Sequence, residues 1–252
     1  MSPTSKPLAG WRVLVPRGGK WGDNVAASLR AVGGIPVIAP LINFASTENE
    51  SALAEAFSRL AAGHYDWLVV TSATTVDVFV SQGVTIAAET RVAAVGETTA
   101  AALTLAGYRV DFVPETDNSA RGLIKEWPDA GSGRVLIPHS DMAEPLIEAA
   151  LAERDLDVEY VAAYRTVGVS VAENVAADVA SGRVRAILVS SGSVARQIAE
   201  QLAPLPAETV VACIGPRTAF DAREAGLSVD VIAEERSEQA LVEALVEHVR
   251  QL

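Results

Sequence analysis

The sequence predicts two similar α/β units, each built on a doubly wound parallel sheet. Three observations predict this. A passage occurs twice, 119 residues apart: Thr71-Ser72 with Val92–Asp111, then Ser190-Ser191 with Val211–Asp230. Nine of the twenty positions in Val92–Asp111 and Val211–Asp230 are identical without a gap. A second echo, at another offset, sets Arg12-Val13-Leu14-Val15-Pro16 against Arg134-Val135-Leu136-Ile137-Pro138. Finally, short apolar runs alternate with longer helical patterns along the whole chain, as βαβ units require.

Taken in order, the strands are expected at Trp11–Val15, Pro36–Ala39, Trp67–Thr71, Arg91–Val95, Arg109–Val113, Arg134–Ile137, Val158–Ala163, Ala186–Ser190, Val210–Ile214 and Ser228–Ile232. Each is a short run rich in Val, Ile, Leu and Ala, the composition of strands buried on both faces. Helical periodicity predicts helices over Asn24–Val32, Ser51–Ala61, Thr98–Ala106, Glu144–Glu153, Ala195–Leu202, Arg217–Ala225 and Ser237–Val249. Gly33, Gly107, Gly182 and Gly226 stand where helices should stop. Met1–Pro7 reads as a loose tail. The strand–helix pairs and the repeated passages come in the order pair, passage, pair, passage. That order fits a cut near residue 120. It fits equally a nested arrangement with one unit inserted in the other.

Composition narrows the function. Half of the 252 residues are apolar and only 5% are aromatic, so the cores rest on Ala, Val, Leu and Ile. A formal charge of −12 argues against nucleic acid and anionic membranes as partners. The single cysteine, Cys213, sits in an apolar run and reads as a buried, inert thiol. With no signal-peptide pattern and no membrane-length apolar run, a cytoplasmic setting is expected.

Chemistry is expected at the carboxyl ends of the strands, where ligands bind in parallel α/β sheets. Four turns draw attention there, matched in pairs: Thr71–Thr75 with Ser190–Ser193, and Gly96–Thr99 with Gly215–Thr218. Small hydroxyl residues and glycine admit a ligand to backbone N–H groups, and a helix N-terminus favours an anion. Ordinary N-capping by the same Ser and Thr residues is the competing reading. Two such units make a cleft, a common place for a small-molecule site. Arg17, Lys20, Arg165 and Arg217 are the cations at strand ends. Arg217 opposes its helix dipole, which implies a ligand or a nearby acid. Tyr164 offers a phenol with an ordinary pKa of about 10, suited to acid assistance or to packing. Gly18–Gly22 is neither a dinucleotide fingerprint nor a P-loop, and no serine has a nucleophile elbow. His64, His139 and His248 lack metal-ligand spacing, and His139, just past a strand, is placed to line a cleft. The residues alone leave three readings: an enzyme acting on a small anion, a non-catalytic two-domain anion-binding protein, and an atypical nucleotide-dependent transferase.

The chain resembles the uroporphyrinogen-III synthase family. The resemblance rests on Val13–Arg17, Trp67–Ser72, Ala94–Thr99, Gly133–Pro138, Tyr164-Arg165-Thr166, Ser190-Ser191 and Ile214–Ala219, in that order. It implies the nested arrangement: residues 1–38 with 168–252 form one domain, 45–162 an inserted domain, and 39–44 and 163–167 a two-stranded linker. It implies a linear tetrapyrrole substrate, hydroxymethylbilane, which loses water and closes with inversion of its last ring to uroporphyrinogen III. It implies no cofactor and no metal, and a monomer is expected. By resemblance Tyr164 is the catalytic acid. Arg17, Ser72, Thr98, Thr99, Ser191, Gly215, Pro216 and Thr218 carry over as substrate-binding residues. Arg217 is placed with them, although it stands where many members carry a hydroxyl residue.

Overall fold

Strand order is the feature that positions the site. The computed structural model describes residues 6–128, 132–143 and 145–252. The first five residues of the expected tail and Glu144, the start of an expected helix, lie outside the described residues. The chain forms two units: residues up to Asn43 together with Val167–Leu252, and Phe44–Thr166.

The first unit holds β1 (Arg12–Val15), α1 (Gly19–Ala31), β2 (Ile35–Ile38), α7 (Glu173–Ala180), β8 (Val184–Val189), α8 (Gly192–Leu202), β9 (Val210–Cys213), α9 (Pro216–Glu224), β10 (Val231–Ile232) and α10 (Glu238–Val249). Its sheet runs β10-β9-β8-β1-β2, and every pairing in it is parallel. The second unit holds α2 (Glu50–Ala61), β4 (Trp67–Val70), α3 (Ala73–Gln82), β5 (Arg91–Ala94), α4 (Glu97–Leu105), α5 (Ala120–Lys125), β6 (Gly133–Ser140) and α6 (Leu146–Ala152). Strands β3 (Ile42–Ser46) and β7 (Leu156–Gly168) carry the chain from one unit to the other, and the second sheet runs β3-β7-β6-β4-β5.

The two sequence echoes account for both orders together. The 119-residue echo equates β4 with β8 and β5 with β9; the other equates β1 with β6. Under that correspondence the strand order β9-β8-β1-β2 matches β5-β4-β6-β7. One unit is written as pair then passage, the other as passage then pair, so the second is a circular rearrangement of the first.

Both sheets are covered on both faces, and the alternation of side chains shows it. From β1, Val13 and Val15 face the core made with α1 and α10, while Leu14 faces the core made with α7, α8 and α9. From β4, Leu68 and Val70 face α2, α3 and α4, while Trp67 and Val69 face α5 and α6. Strands buried on two faces need apolar residues at every position, and β4, β8 and β9 are near-continuous runs of that kind.

The structure departs from the sequence reading in several places. Arg109–Val113 is not a strand; only Ala93 and Phe112 form a bridge there. The reason is a side chain. Asp111 Oδ2 accepts the Val92 N–H at 2.8 Å, replacing a ladder bond. The first unit repeats this with Asp230 Oδ2 and the Val211 N–H at 2.8 Å, and β10 shrinks to Val231–Ile232. Three helices are absent from the sequence reading. Helix α3 is rich in Thr and Val, which blurs helical periodicity; its Ser72 cap and left-handed Gly83 stop define it. Helix α5 is six residues long, and α7 follows an N-cap, Ala172, that makes no side-chain cap. Helix α1 begins at Gly19, so Gly18–Gly22 is a helix start. β7 runs thirteen residues, well past the expected Val158–Ala163.

Other expectations hold. α4 and α9 fall within a residue of their expected bounds. Gly107 and Gly226, a repeat pair, have φ of 86° and 88° after those helices, a region costly for any residue with a Cβ. Cys213 is fully buried, and burial pushes its thiol up to about 12. Among the described residues no helix is long and apolar enough to cross a membrane.

Candidate functional site

The order β2-β1-β8-β9-β10 has a topological switch point between β1 and β8, where consecutive connections leave in opposite directions. In sheets of this order ligands sit outside the carboxyl ends of the strands at that point. The turns after β1 and β8 carry Arg17 and Ser191. The equivalent point in the second unit lies between β4 and β6, beside Ser72 and the turn Ser140–Met142.

In the second unit a set of hydroxyls meets there. Ser72 caps α3, its Oγ accepting the Thr75 N–H at 3.2 Å. The same Oγ lies 3.1 Å from Thr75 Oγ1 and 3.0 Å from the phenol oxygen of Tyr164. Tyr164 comes from β7, whose register places it beside Ser140 at the end of β6. Its ring is buried and packs edge-on against Phe44, with centroids 5.4 Å apart. Asp141 holds this end together: its N–H donates to the Tyr164 carbonyl at 2.9 Å, and its Oδ1 accepts the Thr166 N–H at 3.0 Å. Ser140 and Asp141 do not stand out in the sequence, and Thr166 does so only within the Tyr164-Arg165-Thr166 string, which is the signal nearest to them. Arg165, a cation candidate, is tied instead to the Ser46 carbonyl and to Glu48, each at 3.0 Å.

Thr98 and Thr99 occupy the first turn of α4. Thr98 is exposed and Thr99 buried. The N-cap, Gly96, has no side chain to offer, and the Glu97 N–H is taken by Asn118 Oδ1 at 3.0 Å. A Cβ on Gly96 would stand 2.9 Å from Asn118 Cβ, so glycine permits that approach.

In the first unit, Ser191 caps α8 through the Val194 N–H at 3.3 Å. Gly215 precedes α9 without a side-chain cap, Pro216 opens the helix, and Thr218 is buried, the counterpart of Thr99. Arg217 has the acid that its position demanded: its Nε meets Asp221 Oδ1 at 3.1 Å, and its guanidinium lies 5.7 Å from the Phe220 ring centre. Asp221 Oδ2 packs where a Cβ on Gly192 would stand, so the carboxylate at the start of α8 is the protein's own. Arg17 has its guanidinium 5.6 Å from the Trp21 ring centre. Thus Ser72 and Tyr164 are brought together in one unit, and Ser191, Arg217 and Thr218 belong to neighbouring turns of the other.

His139 does not line an open surface. It is buried, stacked on Tyr160 at 3.5 Å, with Nδ1 2.5 Å from the Ser140 carbonyl. Burial lowers its pKa from 6.5, against the weaker raising effects of that carbonyl, Glu148 and Asp141. Below pH 6.5 the unfolded chain takes up this proton before the folded one does. Stability present above that pH is therefore lost as the pH falls toward the depressed folded value. His139→Phe is expected to flatten the decline in melting temperature between about pH 7.5 and 5.5; an unchanged slope would assign the decline to other groups.

A family model described as uroporphyrinogen-III synthase HemD matches residues 23–243. The chain belongs to the uroporphyrinogen-III synthase family. The porphyrin biosynthesis protein HemD of Ruminiclostridium josui is 27% identical over 251 residues, covering 96% of this chain and 49% of that protein. The chain thus spans about half the length of that relative. The uroporphyrinogen-III synthase of Synechococcus elongatus is 24% identical over 265 residues, covering 98% of each chain. A mutant uroporphyrinogen III synthase from the extremely thermophilic bacterium Thermus thermophilus has the same fold, with a TM-score of 0.66 at 18% identity, covering 96% of this chain and all of that one. The two parallel-dominated α/β sheets are therefore those of the uroporphyrinogen-III synthase fold.

Proposed function

We propose that this chain dehydrates and cyclises hydroxymethylbilane with inversion of the terminal pyrrole ring, giving uroporphyrinogen III. The observation that carries the reading is the Tyr164 phenol held 3.0 Å from Ser72 Oγ at the carboxyl end of β4, in a member of this family. The phenol protonates the departing hydroxyl, which leaves as water. The cationic carbon left behind is attacked by the substituted carbon of the terminal pyrrole, and the resulting spiro intermediate reopens and recloses in the inverted sense. The proton released as the last pyrrole regains its aromaticity restores the phenol. The pyrroles supply the carbon nucleophile, so the protein's work is acid assistance, orientation and exclusion of water.

Arg17, Ser72, Thr98, Thr99, Ser191, Gly215, Pro216, Arg217 and Thr218 are assigned to substrate binding. The substrate's acetate and propionate groups suit a helix start such as that of α9, whose glycine N-cap brings no side-chain cap. The proposed domains are residues 1–38 with 168–252 and an inserted 45–162, with 39–44 and 163–167 as linkers. A cytoplasmic monomer acting on a free small molecule completes the reading. Incubation of the purified protein with hydroxymethylbilane, followed by separation of the isomers, tests it. Uroporphyrinogen III is expected; only isomer I, formed at the rate of the protein-free control, would overturn it.

A further inference from the structure

The hydroxyl cluster at the start of α3 has a direction, and it comes from counting donors and acceptors. A serine oxygen has one proton to give and two lone pairs. Ser72 Oγ accepts the Thr75 backbone N–H at 3.2 Å. Thr75 is fully buried, and Ser72 Oγ, at 3.1 Å, is the hydrogen-bonding neighbour of its hydroxyl. With water excluded, the Thr75 hydroxyl must donate to Ser72 Oγ, since a buried donor left unmade is costly. Both lone pairs of Ser72 Oγ are then filled. In its 3.0 Å contact with Tyr164 it acts only as donor, and the phenol oxygen accepts.

We infer that Thr75 is a positioning residue: its hydroxyl turns the Ser72 proton toward the Tyr164 oxygen, which keeps the phenol's own proton off Ser72 and stabilises the phenolate when that proton leaves. The inference rests on the assignment of Tyr164 as the acid. No atom changes hands between Thr75 and Ser72. The bond that breaks is the Tyr164 O–H, its proton goes to the leaving hydroxyl, and the Ser72 O–H steadies the charge left on oxygen.

The internal repeat supplies a contrast. Ser191 caps α8 as Ser72 caps α3, and Val194 stands at the position of Thr75, equally buried. A valine therefore fits this position of the fold. The hydroxyl occurs in the unit that also presents the phenol.

The test is a double-mutant cycle with Thr75→Val and Tyr164→Phe, with Thr75→Ser as the conservative variant. Losing one such hydrogen bond to the developing charge is expected to lower kcat about tenfold with KM unchanged. Thr75→Ser should restore kcat to within about twofold, and Thr75→Val should have no further effect in the Tyr164→Phe background. Matching melting curves for the Thr75 variants would show that the fold is kept. If Tyr164→Phe slows turnover but Thr75→Val does not, or slows it equally in both backgrounds, the positioning role is wrong and the acid assignment stands. If Tyr164→Phe itself leaves kcat unchanged, the acid assignment fails first.

Discussion

Tyr164→Phe is expected to lower kcat about 100-fold, the low end of what a positioned general acid contributes. The ring stays in place: the benzyl group keeps its buried site and its edge-on contact with Phe44. One hydrogen bond to Ser72 is lost, which costs about 1 kcal/mol of stability, so the melting temperature should fall only by a few degrees. KM should change little, because the phenol acts on the leaving group rather than on the substrate's carboxylates. Steady-state kinetics with isomer-resolved product analysis separates these effects. As catalysis slows, unbound substrate closes spontaneously and the share of isomer I should rise. A kcat within about twofold of the parent chain would remove Tyr164 from the mechanism.

The largest stability effect is expected at Phe79. Its side chain is fully buried in α3 and packs edge-on against Phe57 and Tyr108, with centroids 5.4 and 5.9 Å away. Phe79→Ala removes this ring from the middle of the core that α2, α3 and α4 make with β4, and should cost about 3–5 kcal/mol. Val80, its neighbour in the same helix, is 59% exposed, and Val80→Ala should stay within about 0.5 kcal/mol. Urea midpoints for the two variants check the contrast; equal midpoints would mean that α3 is not held by this core. Helix α3 also carries Thr75 and follows Ser72, so loosening it should cost activity as well.

Most of the fold was legible because its signals are local. Ser72, Ser191 and Ser237 cap the helices that follow them, and glycines end helices in the left-handed region. The repeat was legible too, and reaches further than the identities suggest. Thr90 and Thr209, 119 residues apart and both buried, donate their hydroxyls to the equivalent carbonyls of Tyr65 and Val184. Asp111 and Asp230 were visible as a matched pair, but their shared work was not. A carboxylate that takes a strand's N–H looks, in sequence, like a polar residue at a strand edge, and so Arg109–Val113 read as a strand. Helix α3 was hidden for the opposite reason: its Thr and Val residues carry a strand-like composition that the buried face of Val76 and Phe79 overrides.

By itself the sequence determined two similar α/β units, the strand-end turns, and the hydroxyl, glycine and arginine residues they carry. These follow from periodicity and capping, which act over a few residues, and from repetition, which is read by comparing the chain with itself. Only the tertiary structure decided that β6 lies between β4 and β7, which brings Tyr164 to Ser72 across 92 positions of chain. It also decided that Arg217 already has an acid in Asp221. The direction of the hydroxyl cluster belongs to the tertiary structure as well, since a proton's choice between two oxygens depends on which neighbours are buried, and burial is set by packing between distant segments.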